Sequence, residues 1–529
     1  MKKIGYGLLL SIFILLFVLV GCSSKKTDES TGGEGVSEGG GDGGTLVIAS
    51  VREPDTVDVH NTTWVDDANT HIYDRLFVSD DEGNIANGLV EDYEISDDSL
   101  SMELKLKEGI TFHNGNPVNA EAVMKTFERY QVISAGDYLG PIADMEVIDD
   151  LTLKMTWETP FAPFFSNATT SYLGILDTSV LDDDLMGFEK DPIGSGPLKH
   201  VETKRGESIL YEPFEDFRWG EEGPPKFDQV LFRFISDDET RLLEFKSGNV
   251  HVLPNVPPQY MEELEADDEV QIDRVLANGN TYLGFNMKLP IFEDLKVRQA
   301  IAKGIDRDPI IEHSLQGLGQ PIYGPLPPTI LGYSQKIEDK AKEMYSRDVE
   351  GAKQLLAEAG WDEVNSNGIA MKDGEPFSVE LWMTDEPVMQ RIGQIIQNQL
   401  KEIGIDVQLM VKEDAAIRAQ TPEGAHQMLL WQYGWYDADI LNSLFGKGQS
   451  TRMHWEPEEL DQMLKKMRSE MDMDQRLQDI EDVQDYLVEN APWVPLFVRE
   501  NVTASRGVTG LEKHPIQNIF IWDGAYLGN

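Results

Sequence analysis

Residues 388–410 constrain the fold most. Ile392, Ile395, Ile396 and Ile403 recur at helical spacing, so one side of a helix from about Val388 to Ile403 faces a core. Gly404 stops that helix. The stretch IDVQLMV follows at once and alternates apolar and polar side chains, as a half-buried strand does. A second helix is written in the same way. Asp348 caps VEGAKQLLAEAGW, Val349, Ala352, Leu355, Leu356 and Ala359 share one face, and Gly360 ends it. Helix followed closely by strand argues for an α/β architecture. Other stretches agree. TLVIAS from Thr45 reads as a buried strand, and LSMELKLKEGITFHNG as a half-buried hairpin strand through Met102, Leu104 and Leu106. NPVNAEAVMKTFERY reads as a helix with Asn119 as N-cap. No short-period repeat is present, which argues against a solenoid.

The N-terminal end carries an address. Lys2 and Lys3 precede a mostly apolar run from Ile4 to Val20, closed by small residues. This is the layout of a secretory signal over residues 1–21. An uncleaved anchor is the alternative, because the run is nearly long enough to span a bilayer. The run ends at Cys22, the one cysteine in 529 residues. A lone cysteine excludes a disulfide framework and any cysteine-built zinc or iron–sulfur site. Residues 22–44 are rich in Gly, Ser and acids and have no apolar period, so they read as a flexible tether. Leu19-Val20-Gly21-Cys22 resembles the lipobox of bacterial lipoproteins. That resemblance implies a diacylglycerol on the Cys22 thiol, cleavage just before it, and an extracytoplasmic chain anchored to the cell membrane. What remains is long enough for about three domains at ~150 residues each.

Forty-five Lys and Arg stand against 94 Asp and Glu, a net charge of −49. Such a chain repels nucleic acid and lacks the basic patches that binding would need. The acidic excess reads as a solvated coat suited to a saline or alkaline exterior. Enzyme signatures are missing. There is no Gly-x-Ser-x-Gly elbow and no His-Glu-x-x-His helix, and PIGSGPLKH lacks the Gly-Lys-Ser/Thr ending of a P-loop. The nine histidines are scattered, with none at i, i+4 spacing. The expectation is no catalysis, no cofactor and no metal centre. An extracellular hydrolase and a sensor are the alternatives from other classes.

Several segments together carry a family likeness. They are ANGLVEDYEISDDSLSMELKLKEGITFHNGNPVNAEAVMKTFER, DPIGSGPLKH, FEDLKVRQAIAKGIDRDPII, DVEGAKQLLAEAGW and NAPWVPLFV, in that order. From Thr45 onward the chain resembles the family 5 extracellular solute-binding proteins of ABC transporters, the peptide, nickel and glutathione group. The resemblance implies an α/β, two-lobed fold of the periplasmic-binding-protein type II kind, with an inserted subdomain in the first lobe. Lobe 1 would comprise 45–79, 186–282 and 504–529, the subdomain 80–185, and lobe 2 283–503. Crossing strands would lie near NGNTYLGFNM and VRENVTASRGV. It further implies a monomer that binds a peptide or related small solute and delivers it to a permease and an ATPase. A nickel or metal-chelate ligand is the alternative within the family.

The candidate ligand contacts follow from LLWQYGWYDADILNSLF. Trp431, Tyr433, Trp435 and Tyr436 offer flat apolar surface, and Asp437 and Asp439 offer carboxylates for a cation. Core packing of the tryptophans and a capping role for Asp437 are the alternatives. Asn280 and Tyr282 beside a crossing strand, Ser195 in the Gly-Ser-Gly turn, and Arg452 complete the set. Gly194 and Gly196 read as turn glycines and His113 as structural. His426 and His454 are lone histidines, more often structural than ligating. The family's peptide-binding members have a longer loop after Gly-Trp, holding an aspartate for the peptide's amino group. Here Gly434-Trp435 runs through Tyr436 straight to Asp437, so no residue maps onto that anchor.

Overall fold

Helix Pro387–Glu402 buries Ile392, Ile396 and Leu400 on one side, and Gly404 turns the chain at φ +91°. The strand that follows, Asp406–Lys412, pairs in parallel with Ser378–Thr384 along its whole length. The Asp348 cap forms as read: its carboxylate accepts the Gly351 N–H at 2.9 Å. Asn119 does the same for the Ala122 N–H, also at 2.9 Å. These features belong to a computed structural model that describes residues 43–528 apart from 135, 182–184, 186 and 191. Residues 1–42, on which the expected signal sequence, Cys22 and most of the expected tether fall, lie outside the described residues. Among the described residues, no helix is long and apolar enough to cross a membrane.

A twelve-stranded mixed sheet organises the molecule. Six elements matter below. They are β1 (Val270–Leu276), β2 (Thr281–Phe285), β3 (Met428–Gln432), α1 (Glu458–Ser469), α2 (Met473–Asn490) and β4 (Trp493–Arg506). β4 is 14 residues long and serves both halves of the sheet. Its first part pairs antiparallel with β2, which in turn pairs with β3. Its second part pairs with β1 and with Val252–Leu253, and so leads to Thr45–Ser50. The chain therefore passes between the halves twice, through β1–β2 and through β4, close to the stretches named for crossing strands.

Alternation along each strand feeds separate cores. In one half, Leu283, Leu381 and Leu430 face one cluster, while Tyr282, Trp382, Leu429 and Trp431 face another. In the other half, Leu46, Ile48 and Val230 face one cluster, and Val47, Ala49, Val502 and Ala504 the opposite one. A fifth core belongs to a four-stranded antiparallel sheet built from Val90–Ile95, Ser101–Leu106, Thr152–Trp157 and Ile142–Val147. Met102, Leu104 and Leu106 point into it, as the alternation predicts, beside helix Ala120–Ile133. Met471, from the corner between α1 and α2, is buried in this same core.

Candidate functional site

A cavity of about 440 Å³ opens where the two halves of the large sheet meet. The ends of β2 and β3 form one wall through Asn280, Thr281, Gln432 and Tyr433. β4 contributes Arg499, Asn501 and Thr503 where it passes between the halves. Val65, Asp66, Asp67 and Lys513 close another side, and Tyr138, Asn167 and Tyr172 a third. The segment 433–435 is tied to 278–280 by two backbone bonds. Tyr433 N–H donates to Asn280 O at 3.1 Å, and Trp435 N–H to Asn278 O at 2.7 Å. Gly279 makes this possible, because a Cβ there would fall 1.8 Å from Tyr433 O.

Aromatic rings line one region. Trp435 and Tyr138 lie with ring centroids 5.6 Å apart, and Tyr172 lies 4.9 Å beyond Tyr138. The Tyr433 ring stacks near Trp493 at 6.0 Å while its hydroxyl donates to Pro325 O at 2.9 Å. Charge sits opposite. Asp67 is held by Lys513 and by His71, the latter at 3.2 Å. Asp66 accepts the Ala68 N–H at 2.8 Å, yet burial pushes its carboxyl up to about 6.

The structure brings Trp435, Tyr433, Tyr436 and Asn280 to this cavity. It takes the other candidates elsewhere. Trp431 is 5% exposed and packs in a core cluster with Tyr282, on the strand faces opposite those turned to Leu283 and Leu430. Tyr282 is fully buried with its ring 4.8 Å from Trp493. Arg452 lies over the Trp431 ring at 5.7 Å and does not line the cavity. Asp437 is a correction. It is fully buried and gripped by Arg476 through bonds of 2.9 and 2.6 Å, with the Ser166 hydroxyl donating to the same carboxylate. Its capping alternative holds in part, since it accepts the Asp439 N–H at 2.7 Å just before helix Ile440–Phe445. Asp439 pairs with Arg468 at 2.7 Å, outside the cavity lining.

Ser195 is a correction too: it is 1% exposed and does not line the cavity. Its glycines serve close packing, because a Cβ on Gly194 would meet Ile72 O at 2.0 Å and one on Gly196 would meet His71 O at 2.5 Å. His113 is structural, bonding Gly196 O at 2.9 Å. His426 and His454 come together at 5.8 Å, but each bonds a backbone carbonyl, of Arg452 and of Thr421. Among the described residues, no group of three or more His, Cys, Asp or Glu could hold a metal ion. Sequence reasoning missed Arg499, Asn278, Asp66, Tyr138 and Tyr172. Only the Asn-Gly-Asn of 278–280 carries a local signal, a glycine flanked by amides at the start of a strand.

The family model described as bacterial extracellular solute-binding proteins, family 5 middle, matches residues 84–454. The oligopeptide-binding protein AppA of Bacillus subtilis (strain 168) is 29% identical, with 98% of each chain covered. The glutathione-binding protein GsiB of Pectobacterium atrosepticum is 28% identical over 86% of this chain and 88% of its own. The solved structure of HbpA2 from Haemophilus parasuis superposes with a TM-score of 0.79 at 24% identity, covering 92% of this chain and all of that one. AppA in complex with a nonapeptide gives 0.69 at 26% identity, covering 93% and 100%.

Proposed function

Because this chain belongs to family 5 of the bacterial extracellular solute-binding proteins, and is thus the substrate-binding component of an ABC importer, we propose that it captures a compact peptide or peptide-derived solute in the cavity beneath Trp435. Delivery to a permease driven by an ATPase follows. The chain works as a monomer, held to the membrane by a lipid on Cys22 and the tether behind it. Two lobes close over the solute, with borders near those expected: 45–79, 186–282 and 504–529 for one, 283–503 for the other, and 80–185 as a subdomain of the first.

One observation carries this reading. Tyr138 and Trp435 both line the cavity and touch each other, ring centroids 5.6 Å apart, from segments that belong to different cores. A solute seated against this pair touches both segments, so it binds the closed arrangement better than the open one and shifts the population toward it. The cavity's 440 Å³ suits a small solute. Relatives that bind peptides and glutathione favour peptide chemistry, and their being binding proteins argues against turnover. The shortened segment after Trp435, which removes the family's amino-group anchor, fits a ligand smaller than a long peptide.

Native mass spectrometry of the chain as purified tests this. A single small-molecule mass should ride with the protein, and Trp435→Ala should lose it while remaining folded. Release of a cleaved product, or an equal load on the variant, would overturn the reading.

A further inference from the structure

Cations are scarce here, 45 against 94 acids, so a buried arginine has ample choice of partner. The others use it. Arg129 pairs with Asp58, Arg476 with Asp437, and Arg298 and Arg307 donate to backbone carbonyls. Arg499 is different. It lines the cavity from β4, and its Nε and Nη2 are buried with no hydrogen-bond partner. It also borders a second cavity of about 330 Å³, and Asn255, Arg499 and Asn501 line both. Arg499 therefore stands at a partition between two cavities. Burial holds its pKa below the ordinary arginine value, with Glu386 pulling the other way.

A complementary orphan lies alongside. Asn280 is 2% exposed, and its Nδ2 donates to Pro325 O at 3.3 Å. That bond sets the amide's orientation and leaves Oδ1 as a buried acceptor with no partner. Asn278 Oδ1 is in the same position. The ladder puts these groups near one another: Ala277 N–H donates to Arg499 O at 2.9 Å, and Thr281 pairs with Phe497. Arg499 is half-buried, and leaving two guanidinium nitrogens out of water without an acceptor is costly, while their planar fork of donors matches a planar acid group. A surface of net charge −49 repels anions at a distance, so an anionic solute needs one dedicated cation at its seat.

We propose that Arg499 is the anion anchor of the cleft, holding a carboxylate of the solute while Asn280 Oδ1 accepts an N–H of the same molecule. The solute is then an amino-acid or short-peptide derivative with a free acid. This rests on the receptor reading above.

The test uses the purified chain, stripped of bound solute, and its Arg499→Met variant. Trialanine and glutathione serve as probes, each beside its carboxyl-amidated form, with inorganic phosphate as a further arm. Calorimetry should show the acids binding, and amidation weakening them about tenfold to a hundredfold. Arg499→Met should erase that preference. Without solute the variant should melt about 1–2 °C higher, because an unpaired buried charge is gone. Equal binding of acids and amides, or binding of phosphate alone, would overturn the carboxylate anchor and leave the receptor standing. A variant that melts lower would give Arg499 a structural role instead. A co-purified solute lacking a carboxylate would also refute the anchor. If no probe binds and no solute co-purifies, both readings fall.

Discussion

Asp66 shows how much the cavity wall asks of a single side chain. Burial raises its carboxyl to about 6, although the Ala68 N–H pulls the other way. A folded-state pKa above the ordinary one means the folded chain holds a proton that the unfolded chain has released between about pH 4 and 6. Its cost to stability therefore grows as pH rises through that window and is full above it. Asp66→Asn keeps an acceptor for the Ala68 N–H and removes the charge. Denaturant melts should find the variant's gain over the parent larger at pH 8 than at pH 5, by about 1–2 kcal/mol. A gain that does not change with pH would refute the shift. This residue was illegible in the sequence, since nothing local distinguishes it among 94 acids. Asp437 was misjudged for the same reason: its partner Arg476 lies 39 positions on, and only folding brings the two together. Trp431, Tyr433 and Trp435 stand on alternate positions, and only the end of β3 at Gln432 separates the first, which packs in a core, from the other two, which reach the cavity.

Local elements were the easiest part to read. The Asp348 and Asn119 caps and the glycine stop at 404 are decided within a few residues, and they form as written. How elements meet across the molecule was not legible, and the corner between α1 and α2 is the clearest case. Met471 there is 3% exposed inside the core of the four-stranded sheet. Arg468 O accepts the Ala162 N–H at 2.9 Å, and the Arg468 guanidinium lies over the Phe161 ring at 5.5 Å. Ser166 donates to Asp437 in the same region. This corner clamps the segment that carries Tyr138 against the one that carries Trp435. Met471→Asp puts a charge in that core and should favour the open arrangement. Solution scattering should show a larger radius of gyration without solute, and affinity should fall about tenfold. No change in either would show that the corner does not hold the cleft shut.

At the scale of the molecule, the periodicities predicted an α/β chain and the family likeness implied two lobes, and both descriptions hold. The order of the sheet was hidden, because strand neighbours such as Thr45–Ser50 and Gln229–Phe234 are far apart in sequence. The same order has a consequence for how the fold closes. β4 is the strand on which both halves of the sheet depend. Without residues 493–506, β1 and β2 lack their shared partner and the interior of the sheet has an open seam. The two halves of the sheet can then pair internally but not with each other. A chain ending at residue 492 should accordingly remain sensitive to protease under conditions where the whole chain resists.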